Sequence, residues 1–226
     1  MRRLNVLAEG QTEEAFVNGV LAPHLADHQV IASVRCVTTR RDRRRPDRVH
    51  RGGLPSYGKA RGDLKRWMAE DSTAVFNTMF DLYALPDDFP EFEDAARVRD
   101  PYARVRALED AMAADLVEAR LVPYIQLHEF EALLLSDPAK LDWEYLEHSH
   151  PIERLIDLAS GYDSPELIDD GAETAPSKRI IAEIPEYAYQ KASAGPRIAG
   201  RIGMQRLRER CPHFSAWVAQ LESLAR

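Results

Sequence analysis

Only two cysteines, Cys36 and Cys211, occur in 226 residues, and they stand far apart. That excludes a disulfide-stapled scaffold and fits a reducing compartment, for which the cytoplasm is the simplest address. No apolar run approaches the roughly 20 residues of a membrane span. The start, Met1-Arg2-Arg3, lacks the apolar segment of a secretory leader and runs straight into a strand pattern. There is no Gly-rich phosphate loop ending in Gly-Lys-Ser/Thr, no Gly-x-Gly-x-x-Gly and no Gly-x-Ser-x-Gly, so nucleotide-hydrolysing, dehydrogenase and serine-esterase readings have no support. Internal repeats of roughly 20 to 50 residues are missing too. Nor is there net positive charge: at -7, with a pI near 5.6, the whole surface does not embrace nucleic acid.

What is present, at 45% hydrophobic residues, suffices for one generous α/β domain or one domain plus an extension. Leu4 to Ala8 reads as a buried strand that stops on Glu9. Gly10 then releases the backbone for a tight turn, and a helix from Gln11 to about Asp27 follows, with Phe16, Val17, Val20 and Leu21 as its apolar stripe. Glu13 heads that buried face, whereas Glu14 points elsewhere. Two acids in a first helical turn also suit the helix dipole, which accounts for Glu13 and Glu14 but not for Glu9.

Val30 to Val37 is a second strand pattern, a helix from about Lys59 to Glu70 carries Leu64, Trp67 and Met68 inward, and Ala74 to Phe80 is a third strand ending on Asp81. Two strand-end carboxylates meet if their strands are neighbours in a parallel sheet. Leu82 to Pro101 reads as a long loop over that site. A helix with Val105, Leu108, Met112 and Leu116 inward precedes a fourth strand, Leu121 to Leu127, and then His128-Glu129-Phe130-Glu131-Ala132-Leu133-Leu134. If that segment is helical, His128 and Glu131 share one face at i, i+3 spacing. The zinc-protease pattern fails because Ala132 stands where a second histidine is required. Two readings remain for His128: a half-buried histidine hydrogen-bonded to a carboxylate, or part of a magnesium or manganese site.

The segment Arg40-Arg41-Asp42-Arg43-Arg44-Arg45-Pro46-Asp47-Arg48 is either a solvated loop or a contact for phosphates. From about Ser136 the pattern turns helical: Ile152, Leu155, Ile156 and Ala159 form one stripe, Ser177 is available as an N-cap, and Ile198 to Arg210 reads as a basic helix. Lys178 and Arg179 fall in a first turn, where positive charge opposes the dipole. Either they have a role in binding or they lie in solvent near Glu183. Phe214, Trp217, Val218 and Leu221 make a final packing stripe.

With these residues in place, Glu9-Gly10-Gln11-Thr12-Glu13 is similar to the nuclease version of the Toprim motif found in the overcoming-lysogenization-defect nucleases. Asp81 falls where Toprim proteins place an Asp-x-Asp pair. More closely, the chain resembles the small bacterial proteins of domain-of-unknown-function family 4276. The resemblance rests on Glu-Gly-Gln-Thr-Glu-Glu at the start, Met79 to Pro86, Leu127 to Leu134, Ala175 to Ile180 and Cys211-Pro212-His213-Phe214.

The resemblance implies an α/β fold, a Toprim-like (Rossmann-like) parallel sheet flanked by helices over residues 1–136, with a C-terminal helical extension over 137–226. It implies Glu9 as general acid or base and Asp81 as a ligand for Mg2+ or Mn2+. Tyr83 replaces a second aspartate, so the missing ligand would come from Glu13, Glu129 or Glu131, with His128 near; Asp87 and Asp88 are weaker choices. The expected function is a divalent-metal-dependent phosphodiester hydrolase, a nuclease, in which Arg40, Arg41, Arg43, Arg44, Lys178 and Arg179 hold the phosphates of nucleic acid. A separate ATPase subunit and a place in phage defence are the expected context. The competing expectation is a non-catalytic Toprim-like module that binds nucleic acid or a partner.

Overall fold

The structure, a computed structural model, describes residues 1–38, 54–168, 171 and 174–225. Its centre is a parallel sheet. Strand β1 (Arg2–Ala8) lies between β2 (Val30–Cys36) and β3 (Val75–Asp81), and β3 pairs on its far side with β4 (Leu121–Val122) and then β5 (Ile125–Gln126). Strands buried on both faces must be apolar at odd and even positions alike, and β1 and β3 are. Leu4, Val6, Val75 and Met79 enter one hydrophobic core; Leu7, Phe76 and Phe80 enter the other.

The second core lies under α3 (Tyr57–Glu70) and α5 (Pro101–Leu116), whose inward residues Leu64, Trp67, Met68, Val105, Leu108, Met112 and Leu116 are those their spacing predicts. Asp88 closes this side by accepting the Tyr57 and Gly58 amides at 2.8 and 3.2 Å, which anchors the N-terminus of α3. The segment after Asp81 is less irregular than expected: it carries a 3-10 turn (Leu82–Ala84) and a short helix, α4 (Phe92–Ala95).

The first core is larger and runs from β1 into the C-terminal helices without a break. One continuous helix spans α1 (Gln11–Phe16), a π-helical turn (Val17–Leu21) and α2 (Ala22–Asp27). The same core takes in α6 (Glu131–Leu134), α7 (Ser149–Ser160), α8 (Pro176–Glu183), α9 (Tyr187–Ile202), which packs on that helix, α10 (Met204–Arg210) and α11 (Pro212–Glu222). Phe16 of α1 meets Phe130, at the start of α6, and Phe214 of α11 edge to face with ring centroids 5.4 and 6.0 Å apart. Each such pair adds about 1 kcal/mol beyond area burial. The architecture is α/β, a Rossmann-like parallel sheet flanked by helices with a helical C-terminal part. No helix among the described residues is long and apolar enough to cross a membrane.

Several local expectations are corrected. The fourth strand is split, because Pro123 has no amide to donate to the ladder. The Thr78 hydroxyl bridges the gap, donating to Tyr124 O at 3.0 Å and accepting the Tyr124 amide at 2.9 Å. His128 stands outside α6 with φ of 60°, so it does not share a helical face with Glu131. Gly203, at φ of 82°, separates α9 from α10 where a single basic helix is predicted. Ile156 is 38% exposed at the margin of the α7 stripe. Gly10 is extended, with φ of -152°, a conformation open to any residue, so its value lies in its amide rather than its freedom.

Candidate metal centre

Strand parity places the site. Side chains alternate across a strand, so Asp81 falls on the same face as Val75 and Met79, toward α1 and the C-terminal helices. Because Ala8 pairs with Met79, the strand-end residues Glu9 and Asp81 arrive side by side. The Glu9 amide donates to Met79 O at 3.0 Å, and the Asp81 amide donates to Glu9 Oε2 at 3.0 Å. Glu13, on the first turn of α1, accepts the Gly10 amide on Oε2 at 2.9 Å.

Two further carboxylates come from the turn after β5. Its backbone is pinned to the segment after Asp81 by the Tyr83 amide, which donates to His128 O at 2.8 Å. Glu129 is gripped by Ser177, whose amide and hydroxyl donate to its two oxygens, the hydroxyl at 3.0 Å. This corrects the reading of Ser177 as an N-cap: Ala175 occupies that position, Pro176 opens α8, and Ser177 turns the helix N-terminus onto Glu129. Glu131 accepts the Tyr187 hydroxyl at 3.1 Å and faces Lys191 Nζ at 3.4 Å. Gly195 permits this packing, since a Cβ there would lie 3.0 Å from the Tyr187 hydroxyl and 3.2 Å from Phe130.

Glu9, Glu13, His128, Glu129 and Glu131 are all buried. The electrostatics follow from crowding acids away from water. Burial raises the Asp81 carboxyl well above its ordinary value, and Glu13, Glu9, Glu131 and Glu129, in that order, raise it further. Burial and then Glu9 push Glu13 up to about 8. Glu129 is raised by burial and Glu131, with Ser177 and Lys191 opposing. Within the cluster, the buried Asp81 Oδ1 has no hydrogen-bond partner among the described residues. An acceptor left so is costly, and a cation or a proton relieves it.

The sequence-derived candidates therefore divide. Glu9, Glu13, Asp81, Glu129 and Glu131 converge electrostatically, and His128 is buried beside them in the chain. Tyr83 is 48% exposed and Asp88 is spent on α3. Lys178 is exposed, and Arg179 Nε donates to Thr174 O at 3.3 Å. Arg40, Arg41, Arg43 and Arg44 lie outside the described residues. No three of the strand-end groups bring ligand atoms within 4.8 Å of one another; among the described residues that closeness occurs at His24, His28 and Glu222. Wider spacing suits a hard cation that keeps some of its water rather than a dry cage of side chains. Sequence reasoning missed Tyr187 and Lys191, although their i, i+4 spacing on one helix puts both on one face.

Fold and site together define an α/β protein with an acidic cluster at the C-terminal ends of adjacent parallel strands. The family described as Domain of unknown function (DUF4276) matches residues 8–222, and the chain belongs to it. No curated protein and no solved structure matches.

Proposed function

We propose that the acidic cluster is the centre of a Toprim-type, divalent-metal-dependent phosphodiester hydrolase acting on nucleic acid. The observation that carries the reading is Asp81 Oδ1, a buried acceptor without a hydrogen bond in the midst of four other carboxylates. Structural domains do not ordinarily concentrate five repelling acids at the ends of adjacent strands, and the Lys191 ammonium faces Glu131 rather than the buried Asp81 oxygen. The donor set fits Mg2+ or Mn2+, with Asp81, Glu13 and Glu9 as the holding residues. When bound, such an ion acts as a Lewis acid on the phosphate and lowers the pKa of water.

The chain's own groups supply the rest. Glu9, oriented by the Asp81 amide, takes up a proton from the attacking water. Glu129 and Glu131, already held by Ser177, Tyr187 and Lys191, fix the wall of the site and shape its charge. Lys178, Arg179 and the Arg40 to Arg48 segment draw in the phosphate backbone, offsetting the acidity of the chain. A separate ATPase subunit, in phage defence, fits a chain without a phosphate loop of its own.

A second reading, a non-catalytic module binding nucleic acid or a partner, is favoured by one observation: Tyr83, which stands in place of a second aspartate, points into solvent. Incubation with single- and double-stranded DNA and RNA in Mn2+ separates the two. Cleavage that is abolished by chelation and by Glu9→Gln or Asp81→Asn is the expected result. Cleavage that survives both substitutions, or no cleavage of any substrate by the metal-loaded native chain, refutes the enzyme.

A further inference from the structure

Far from the strand ends, a second constellation joins α2 to α11. His24 and the residue that ends α2, His28, lie four apart and so share one face, their rings 5.1 Å apart. Both direct Nε2 at one atom, Glu222 Oε1, at 2.7 and 3.5 Å. Arg208 Nη1 lies 2.6 Å from the same oxygen. Three nitrogens thus crowd around one carboxylate oxygen. The ligand atoms of His24, His28 and Glu222 all fall within 4.8 Å of one another.

We infer that His24, His28 and Glu222 form a binding site for a borderline transition-metal cation such as Zn2+ or Co2+. Two imidazoles and a carboxylate are the donor set such ions prefer, whereas Mg2+ and Mn2+ favour oxygen. A cation seated between these side chains takes a lone pair from each imidazole together with Glu222 Oε1. Arg208 then serves as the outer partner that orients the carboxylate. The side chains are 12 to 35% exposed, which leaves a path for the ion. Beside His24 and Arg208 opens a cleft of about 510 Å³, also lined by Met204, Gln205, Glu209 and Ser215, with room for water as a further ligand.

The site links the first helix to the last one over 198 positions of sequence. Binding to the folded state alone stabilises it by mass action. Cobalt absorption spectroscopy, with thermal melts in Zn2+, tests the assignment independently of any hydrolase activity. Native protein and Asp81→Asn are both expected to show the visible ligand-field bands of imidazole-bound Co2+ and to melt several degrees higher in Zn2+. The folded double variant His24→Asn/His28→Asn is expected to lose both effects, and Glu222→Gln to weaken Co2+ binding at least ten-fold. Unchanged ligand-field bands in His24→Asn/His28→Asn or undiminished affinity in Glu222→Gln, or no such bands in the native protein, overturns the site.

Discussion

Two buried acidic centres, Glu166 and the cluster around Asp81, are solved in opposite ways. Glu166 is fully buried, yet its oxygens accept the His213 and Phe214 amides, each at 2.9 Å, and the Tyr102 hydroxyl at 3.4 Å. It closes the N-terminus of α11. His213 in turn meets Glu109 Oε1 and Ile125 O, each at 3.1 Å, and stacks on Tyr124, which stacks on Trp217. Burial raises Glu166, but both amides, His213 and Tyr102 pull it back down. At Asp81 every neighbouring group adds to the effect of burial. A buried carboxylate with donors is architecture. One surrounded by other carboxylates is unfinished until something positive arrives, and that contrast, rather than burial, marks the site.

The comparison can be broken from either side. The largest effect is expected at the finished group. Glu166→Ala leaves two helix amides and the Tyr102 hydroxyl without their acceptor in the interior and costs about 3 kcal/mol, measured by urea unfolding. Glu166→Gln, which keeps one acceptor oxygen, loses less. Asp81→Asn has the opposite sign: with metal chelated, removal of a buried acid that must either ionise against its neighbours or take up a proton stabilises the fold by roughly 1 kcal/mol at neutral pH. Loss of stability there contradicts the account.

Titration sharpens the same point. Glu13 moves from an ordinary 4.5 to about 8 in the folded chain. Below the first value both states keep the proton. Between the two, the unfolded chain releases it while the folded chain holds it, so stability of the metal-free protein falls as pH rises and levels off near pH 8. Glu13→Gln removes that contribution, and Mn2+ opposes it increasingly toward high pH. Denaturant midpoints across this range provide the check. The smallest effect is expected at Lys191, the cation beside Glu131: Lys191→Met lowers the proposed hydrolysis about ten-fold and, by leaving the buried Glu131 without its cation, lowers the unfolding midpoint slightly.

The sheet and the strand-end acids were legible because their cause is local. A strand buried on both faces writes a mostly apolar run, and Glu9 and Asp81 end two such runs at the same place. The stripes of α3 and α5 were legible for the same reason, whereas Ile156 sits at a stripe's edge, where periodicity alone does not decide burial. What escaped notice depends on partners distant in sequence. Ser177 reads as a cap until Glu129, 48 positions away, is seen to receive its amide and hydroxyl. Tyr187 acquires meaning only from Glu131, 56 positions earlier. Glu166 lies in an acidic, proline-punctuated stretch that gives no sign of two helix amides waiting 47 and 48 positions on. The left-handed turn at His128 likewise reflects the docking of its carbonyl onto Tyr83 rather than any local preference.

The most direct test is a Mn2+ titration followed by electron paramagnetic resonance of the free ion, on chain carrying His24→Asn and His28→Asn so that bound metal belongs to the strand ends. The account predicts binding that Asp81→Asn and Glu9→Gln each weaken at least ten-fold and that Glu166→Gln leaves intact. No Mn2+ binding, or equal binding with Asp81→Asn, would contradict it.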